Sequence, residues 1–189
     1  MIEYISLLLF IILAYANNNY AIGLFLLTSF WGIDIIRRLE PIFPKFDKSF
    51  GKNGTITLNV FTLLCLYMVI MGGVFLIYFS PGVFMVFFIF SALCNGLPVA
   101  LNRGLMPCSP TEFLKMTGGL AEVDSCGQIQ ADNFSKGYCY TNPETKLSFL
   151  GDNFYVKSLG GINSIGDFLL LMGLICGIIE QIILILKPA

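Results

Sequence analysis

The sequence predicts an all-α integral membrane protein of about five transmembrane helices, with a polar cap segment before the last one. Of the 189 residues, 56% are hydrophobic and only 12% charged, half the share of a typical soluble domain, about 25%. Mean hydropathy is +0.80. Charge is also unevenly spread. Ten of the eleven basic residues lie in the segments 37–55 and 102–161, and the remaining one is Lys187. This pattern excludes a disordered chain, a nucleic-acid binder and an ordinary water-soluble enzyme. The sequence has no histidine, which removes Ser-His and Cys-His nucleophiles, histidine-held haem and histidine-based zinc centres.

The first charge-free run, 4–33, exceeds the roughly 20 residues of one bilayer crossing. Asn17, Asn18 and Asn19 interrupt it. Consecutive amides are costly in lipid, so they read as a turn between two short helices, 2–16 and 20–36. Ala14-Tyr15-Ala16 also fits a signal-peptide cleavage site, but the leader carries Glu3 and no basic residue. Segment 37–55 holds Arg37, Arg38, Lys45, Lys48 and Lys52. With Pro41 and Pro44 it reads as a basic loop, or as an amphipathic segment seated by Phe43, Phe46 and Phe50.

The next spans, 56–79 and 83–101, are joined by a tight turn at Ser80-Pro81-Gly82. Asn95, Gly96 and Pro98 predict a kink or unwinding near the end of the second. The organisation expected is a helical membrane region, 1–101, a polar cap, 102–161, and a last transmembrane helix within 162–189. The cap is too long for an idle connection, and Tyr138, Tyr140, Phe149, Phe154 and Tyr155 can pack it. Of the six cysteines, Cys65, Cys94 and Cys176 lie in apolar runs, where cysteine packs as a small hydrophobe. Cys108, Cys126 and Cys139 lie in the cap without a CxxC pair, so at most one disulfide can join them.

The last helix has the clearest start. Ser164 with Asp167 forms a capping-box-like pair, although Asp is shorter than the usual Glu. Gly166, Gly173 and Gly177 share one face. Gly173 and Gly177 make a GxxxG pair that admits a helix of this chain or of another. Glu180, beside Gln181, is an acidic residue inside the apolar run. It is either a functional intramembrane carboxylate or a structurally paired one.

Three stretches occur in order: NGLPVALNRGLMPCSPTEF, TNPETKLSFLGD and GGINSIGDFLLLMG. Together they resemble domain-of-unknown-function family 5317, bacterial multi-pass membrane proteins without assigned activity, over roughly the last ninety residues. The resemblance implies a helical membrane domain and a polar segment carrying the motifs. Mapped here, the motifs fall on Asn102, Gly104, Met106, Pro107 and Ser109, then on Thr145, Leu147, Leu150, Gly151 and Asp152, then on Ser164, Ile165, Gly166 and Asp167. Arg103 stands where the family tends to have Gly, and Cys108 where it has Val. A histidine that the family often places before the second motif is missing, and Tyr138-Cys139-Tyr140 lies there instead.

Asn95, Asn102, Arg103, Asp152 and Asp167 are expected to converge where the cap meets the helix ends. There they either bind a head group or an ion, or lock the cap in place. The positive-inside rule puts both charged segments in the cytoplasm, while the cap cysteines and the resemblance favour the outer side. No catalytic, metal-ligating or cofactor-binding set stands out. The expected partners are the lipid bilayer and other membrane chains or a second copy, with no nucleic acid. The favoured function is an accessory or structural subunit of a bacterial cytoplasmic-membrane assembly. A small-solute, ion or lipid transporter or channel is the first alternative. An enzyme using Asp152 and Asp167 as paired carboxylates is the second.

Overall fold

The computed structural model describes residues 2–17, 22, 46–49, 55–58, 60–78, 82–119, 121–123, 129, 137–159 and 161–186. Most of the expected second helix, 20–36, the start of the basic segment and Cys126 lie outside these residues.

The described chain is mostly helical rather than all-α. Helix α1 (Ile2–Ala16) is followed by strands β1 (Phe46–Ser49) and β2 (Thr55–Leu58), helix α2 (Val60–Tyr78) and helix α3 (Phe84–Leu101). The cap contains β3 (Met106–Cys108), helix α4 (Pro110–Thr117), β4 (Tyr138–Tyr140), β5 (Phe154–Val156) and β6 (Gly161–Asn163). Helix α5 (Ile165–Leu186) ends it. The strands form three two-stranded sheets: β1 with β2 antiparallel, β3 with β4 parallel, β5 with β6 antiparallel. Part of the expected basic loop is therefore a hairpin arm. The alternating β-branched run Thr55-Ile56-Thr57-Leu58 favours an extended chain ahead of α2.

Two helices, α3 and α5, are long and apolar enough to cross a membrane, and α2 contains the shorter apolar stretch Phe61–Val74. Five spans were expected; the described residues carry two that meet the length and apolarity of a crossing. Helix α3 also runs without a break through Asn95, Gly96 and Pro98, so the expected unwinding is not seen. Asn95 spends its amide on α5 instead of its own backbone. Gly96 lies tight against α2, where an added Cβ would stand 2.7 Å from Cys65 Cβ.

Side-chain neighbours fix the helix directions. Val83 meets Glu180 and Asn95 meets Asp167, so α3 and α5 are antiparallel. Gly72 lies beside Ile89 and Gly96 beside Cys65, so α2 and α3 are antiparallel. Phe10 packs at Gly177, and Asn17 Nδ2 donates to Gln181 Oε1 at 2.8 Å, so α1 runs parallel to α5. Phe10, Ala14, Ile22, Phe84, Met85, Phe88 and Leu174 form the main core. The Phe10 and Phe84 rings meet edge to face at 5.0 Å, a favoured aromatic geometry. Strand β2 packs on α3 and leads into α2, so the hairpin and the cap share one end of the helices.

A Cβ on Gly177 would stand 2.3 Å from Phe10 Cε1 and collide with the ring, whereas one on Gly73 would meet open space. Gly177→Leu is expected to displace Phe10 and lower stability by about 1–3 kcal/mol, as overpacking does. Gly73→Ala is expected to leave stability unchanged or raise it by up to about 1 kcal/mol through helix propensity. Thermal unfolding of both variants in detergent checks the contrast.

Candidate functional site

The three motif stretches meet at the junction of the cap with α3 and α5, and strand β3 is the point of attachment. On one side β3 pairs with β4, in the register Met106–Tyr138, Pro107–Cys139 and Cys108–Tyr140. On the other it takes the second motif: Asp152 N donates to Pro107 O at 2.8 Å, and Ser109 N donates to Asp152 O at 3.1 Å. Gly151 makes this approach possible, because a Cβ there would collide with Pro107 O. Asn102 adds a further tie. Its Nδ2 donates to Lys146 O (2.7 Å) and its Oδ1 accepts from Lys146 N (3.0 Å), so the amide pairs with backbone as a strand neighbour would.

The third motif opens α5. Asp167 N donates to Ser164 Oγ at 3.0 Å, and Ser164 N donates to Asp167 Oδ2 at 2.8 Å, a complete reciprocal capping box. The short Asp reaches as well as Glu would. Asn95 of α3 closes the network: Ser164 Oγ donates to Asn95 Oδ1 (2.6 Å), and Asn95 Nδ2 donates to Asp167 Oδ1 (3.1 Å). Gly166 leaves room for this amide, since a Cβ there would overlap it.

Asp152 sits between these two ties. It is 4% exposed, and its Oδ1 has no hydrogen-bond partner among the described residues. The Tyr138 hydroxyl donates to the same carboxyl. Burial pushes the Asp152 carboxyl well above the usual carboxylate range, and the nearby Asp167 charge adds to this, while the Tyr138 hydrogen bond opposes it. Burial also pushes Tyr138 upward, with Asp152 and Asp167 contributing. The Cys108 thiol is pushed up to about 12, first by burial and then by Asp152 and Cys139, and Cys139 to about 11 by burial. Both thiols are free.

The remaining candidates lie elsewhere or act structurally. Thr145 Oγ1 accepts from Asn142 N at 2.9 Å and closes a turn in the cap. Arg103 is exposed with φ +57°, a left-handed conformation that glycine adopts without strain. That is the physical reason glycine suits the position. Glu180 is far from the junction. Its Oε1 accepts from Val83 N at 2.8 Å, and its carboxylate also takes the Phe84 N–H, so it caps α3 from outside that helix. Gly173 seats against Phe87 and Phe88 of α3. Met106 and Pro107 contribute through β3.

Sequence reasoning missed Tyr138 as a polar partner. It read this residue only as cap packing; the signal available was its place in the run Tyr138-Cys139-Tyr140 just ahead of the second motif. Among the described residues, no three His, Cys, Asp or Glu groups come together to hold a metal ion. Chemically, the junction can lock two layers together and can keep a proton on the buried Asp152 carboxyl.

Asn95→Ala removes both inter-helix bonds at the α5 start. An expected loss of about 1–3 kcal/mol follows from unsatisfied partners in a buried site. Thermal unfolding, with faster amide exchange over 164–167, measures it. Cys108 is expected to stay unmodified by maleimide at neutral pH in the folded chain and to react on unfolding, because its thiol is buried and shifted up to about 12. Mass spectrometry of the labelled chain reads this directly.

No curated protein and no solved structure matches the chain. Over residues 39–179 it matches a family of unknown function (DUF5317). That stretch begins ahead of β1 and ends inside α5, well beyond the last ninety residues that carried the resemblance. With most of its length matched, including the three motifs that build the junction, the chain belongs to the family of unknown function DUF5317.

Proposed function

We propose that this chain is a multi-pass protein of the bacterial cytoplasmic membrane, serving as an accessory or structural subunit that packs against other membrane chains or a second copy. The observation that carries this reading is the use made of its polar groups. Asn17, Asn95, Glu180 and Gln181 are each hydrogen-bonded to another helix or helix end of the same chain. A transporter or channel keeps such groups along a path for its solute; here they tie helix to helix.

What points outward is hydrocarbon. Met172, Ile175, Ile179 and Ile182 on α5, and Val86, Phe90 and Leu97 on α3, are exposed. Surface of this kind calls for lipid or another chain. The five-span arrangement belongs to the same proposal, with the cap on the cytoplasmic side, where Arg37, Arg38, Lys45, Lys48 and Lys52 would hold it. The paired-carboxylate enzyme is the second reading, favoured by the unpartnered Asp152 Oδ1.

Purification of the tagged chain in mild detergent, followed by native mass measurement, tests the subunit reading. The expected species contains a second membrane chain or copy, and tagging that partner retrieves this chain in return. A chain that purifies alone as a monomer overturns the proposal.

A further inference from the structure

Asp152 and Asp167 are neighbours with opposite provisions. Asp167 accepts from Asn95 Nδ2 at 3.1 Å and from Ser164 N at 2.8 Å, and it stands in the first turn of α5. Two donors and the first-turn N–H groups of a helix thus converge on this carboxyl. Asp152 is buried on the cap side. Its Oδ1 has no partner among the described residues. The groups acting on it are the Asp167 carboxylate from α5 and the Tyr138 hydroxyl from β4, with the neutral Cys108 thiol of β3 close by. An ionised Asp152 would leave a bare oxygen in a buried site near a second carboxyl.

We propose that Asp152 and Asp167 form a one-proton site at the cap–helix junction, Asp152 holding the proton and Asp167 the charge, and that docking of the cap onto α5 depends on the bound proton. Placement makes the dependence mechanical. The Asp152 backbone is one of the two attachments of β3, and Asp167 is part of the cap of α5. Ionising Asp152 therefore sets repulsion across the joint that those bonds hold closed. Unequal surroundings that divide a carboxyl pair into acid and base are a general device.

The upward shift of Asp152 agrees with this placement and fixes the sign. The docked cap holds a proton that a free cap releases. Docking is thus strongest at and below the ordinary carboxylate range, near pH 4. It weakens as pH rises from there, until Asp152 itself ionises.

The test uses the full chain in lipid nanodiscs. Infrared difference spectra of wild type against Asp152→Asn at neutral pH are expected to show a protonated-carboxyl C=O band belonging to the wild type. Amide-exchange protection at Cys108, Ser109 and Asp152, corrected for intrinsic rates, is expected to fall with rising pH by up to about tenfold per unit, the slope of one proton. It is expected to stay flat in Asp152→Asn. Should that variant fail to fold, Asp167→Asn serves instead: loss of the like charge is expected to move the Asp152 band to lower pH. Absence of the band, the same pH slope in Asp152→Asn, or an unmoved band in Asp167→Asn overturns the proposal. So does protection at high pH that returns on adding sodium or calcium salt without any carboxyl band, which would make the site a cation site. None of these readouts depends on whether the chain has a partner.

Discussion

A helix that begins at the edge of an apolar layer must bring partners for its first N–H groups, because the surroundings supply none. Helices α3 and α5 meet this requirement largely by capping each other. At one end Asn95 of α3 completes the box that Ser164 and Asp167 build at the start of α5. At the other, Glu180 of α5 takes the Val83 and Phe84 N–H groups at the start of α3. Neither lock can form unless the antiparallel pair is in register, so capping and packing are one event. Each lock has its glycine: Gly166 makes room for Asn95 and Gly82 for Glu180. Once the pair is set, Phe10 of α1 can seat on Gly177 and α2 on Gly96.

The cap depends on the same arrangement. It leaves α3 through Asn102 and returns as Ser164, two points that Asn95 and Pro98 hold close to the helix ends. Between them a three-residue strand, β3, collects β4 on one side and Asp152 on the other. Behind it Cys108, Phe113 and Ile129 make a small core, with Phe113 edge to face on Tyr140 at 5.5 Å. So short a strand holds a layer together because the Asn102 amide and the Asp152 backbone extend its hydrogen bonding beyond its own residues.

Much of this was legible in the sequence. Apolar length gave α1, α3 and α5 at close to their observed bounds, and Ser164 with Asp167 gave the start of α5. The residues expected at the junction, Asn95, Asp152 and Asp167, do meet there, while Asn102 ties the cap close by and Arg103 turns outward to solvent. The small strands were not legible, because three-residue ladders have no period long enough to read. Pro98 was weighed as a helix breaker, yet a proline is tolerated where neighbouring helices support its turn. The role of Tyr138 was hidden for another reason: a hydroxyl that hydrogen-bonds a residue fourteen positions on leaves no local trace.

The choice of tyrosine at position 138 has a physical meaning. A histidine beside Asp152 could become cationic and would then hold the carboxyl ionised, as an opposite charge does. Tyr138 can donate one hydrogen bond but stays neutral, and its own burial pushes its ionisation further upward. Among the described residues, the carboxyls at the junction are those of Asp152 and Asp167. The Asp167 carboxylate is engaged in capping α5, whereas the Asp152 Oδ1 is buried without a partner among the described residues. Among the described residues, the hydrogen bonds of this network tie α3 to α5, and the Asp152 Oδ1 is the buried side-chain oxygen left without a partner. Under the one-proton proposal, that oxygen is where the joint between the two layers answers to pH.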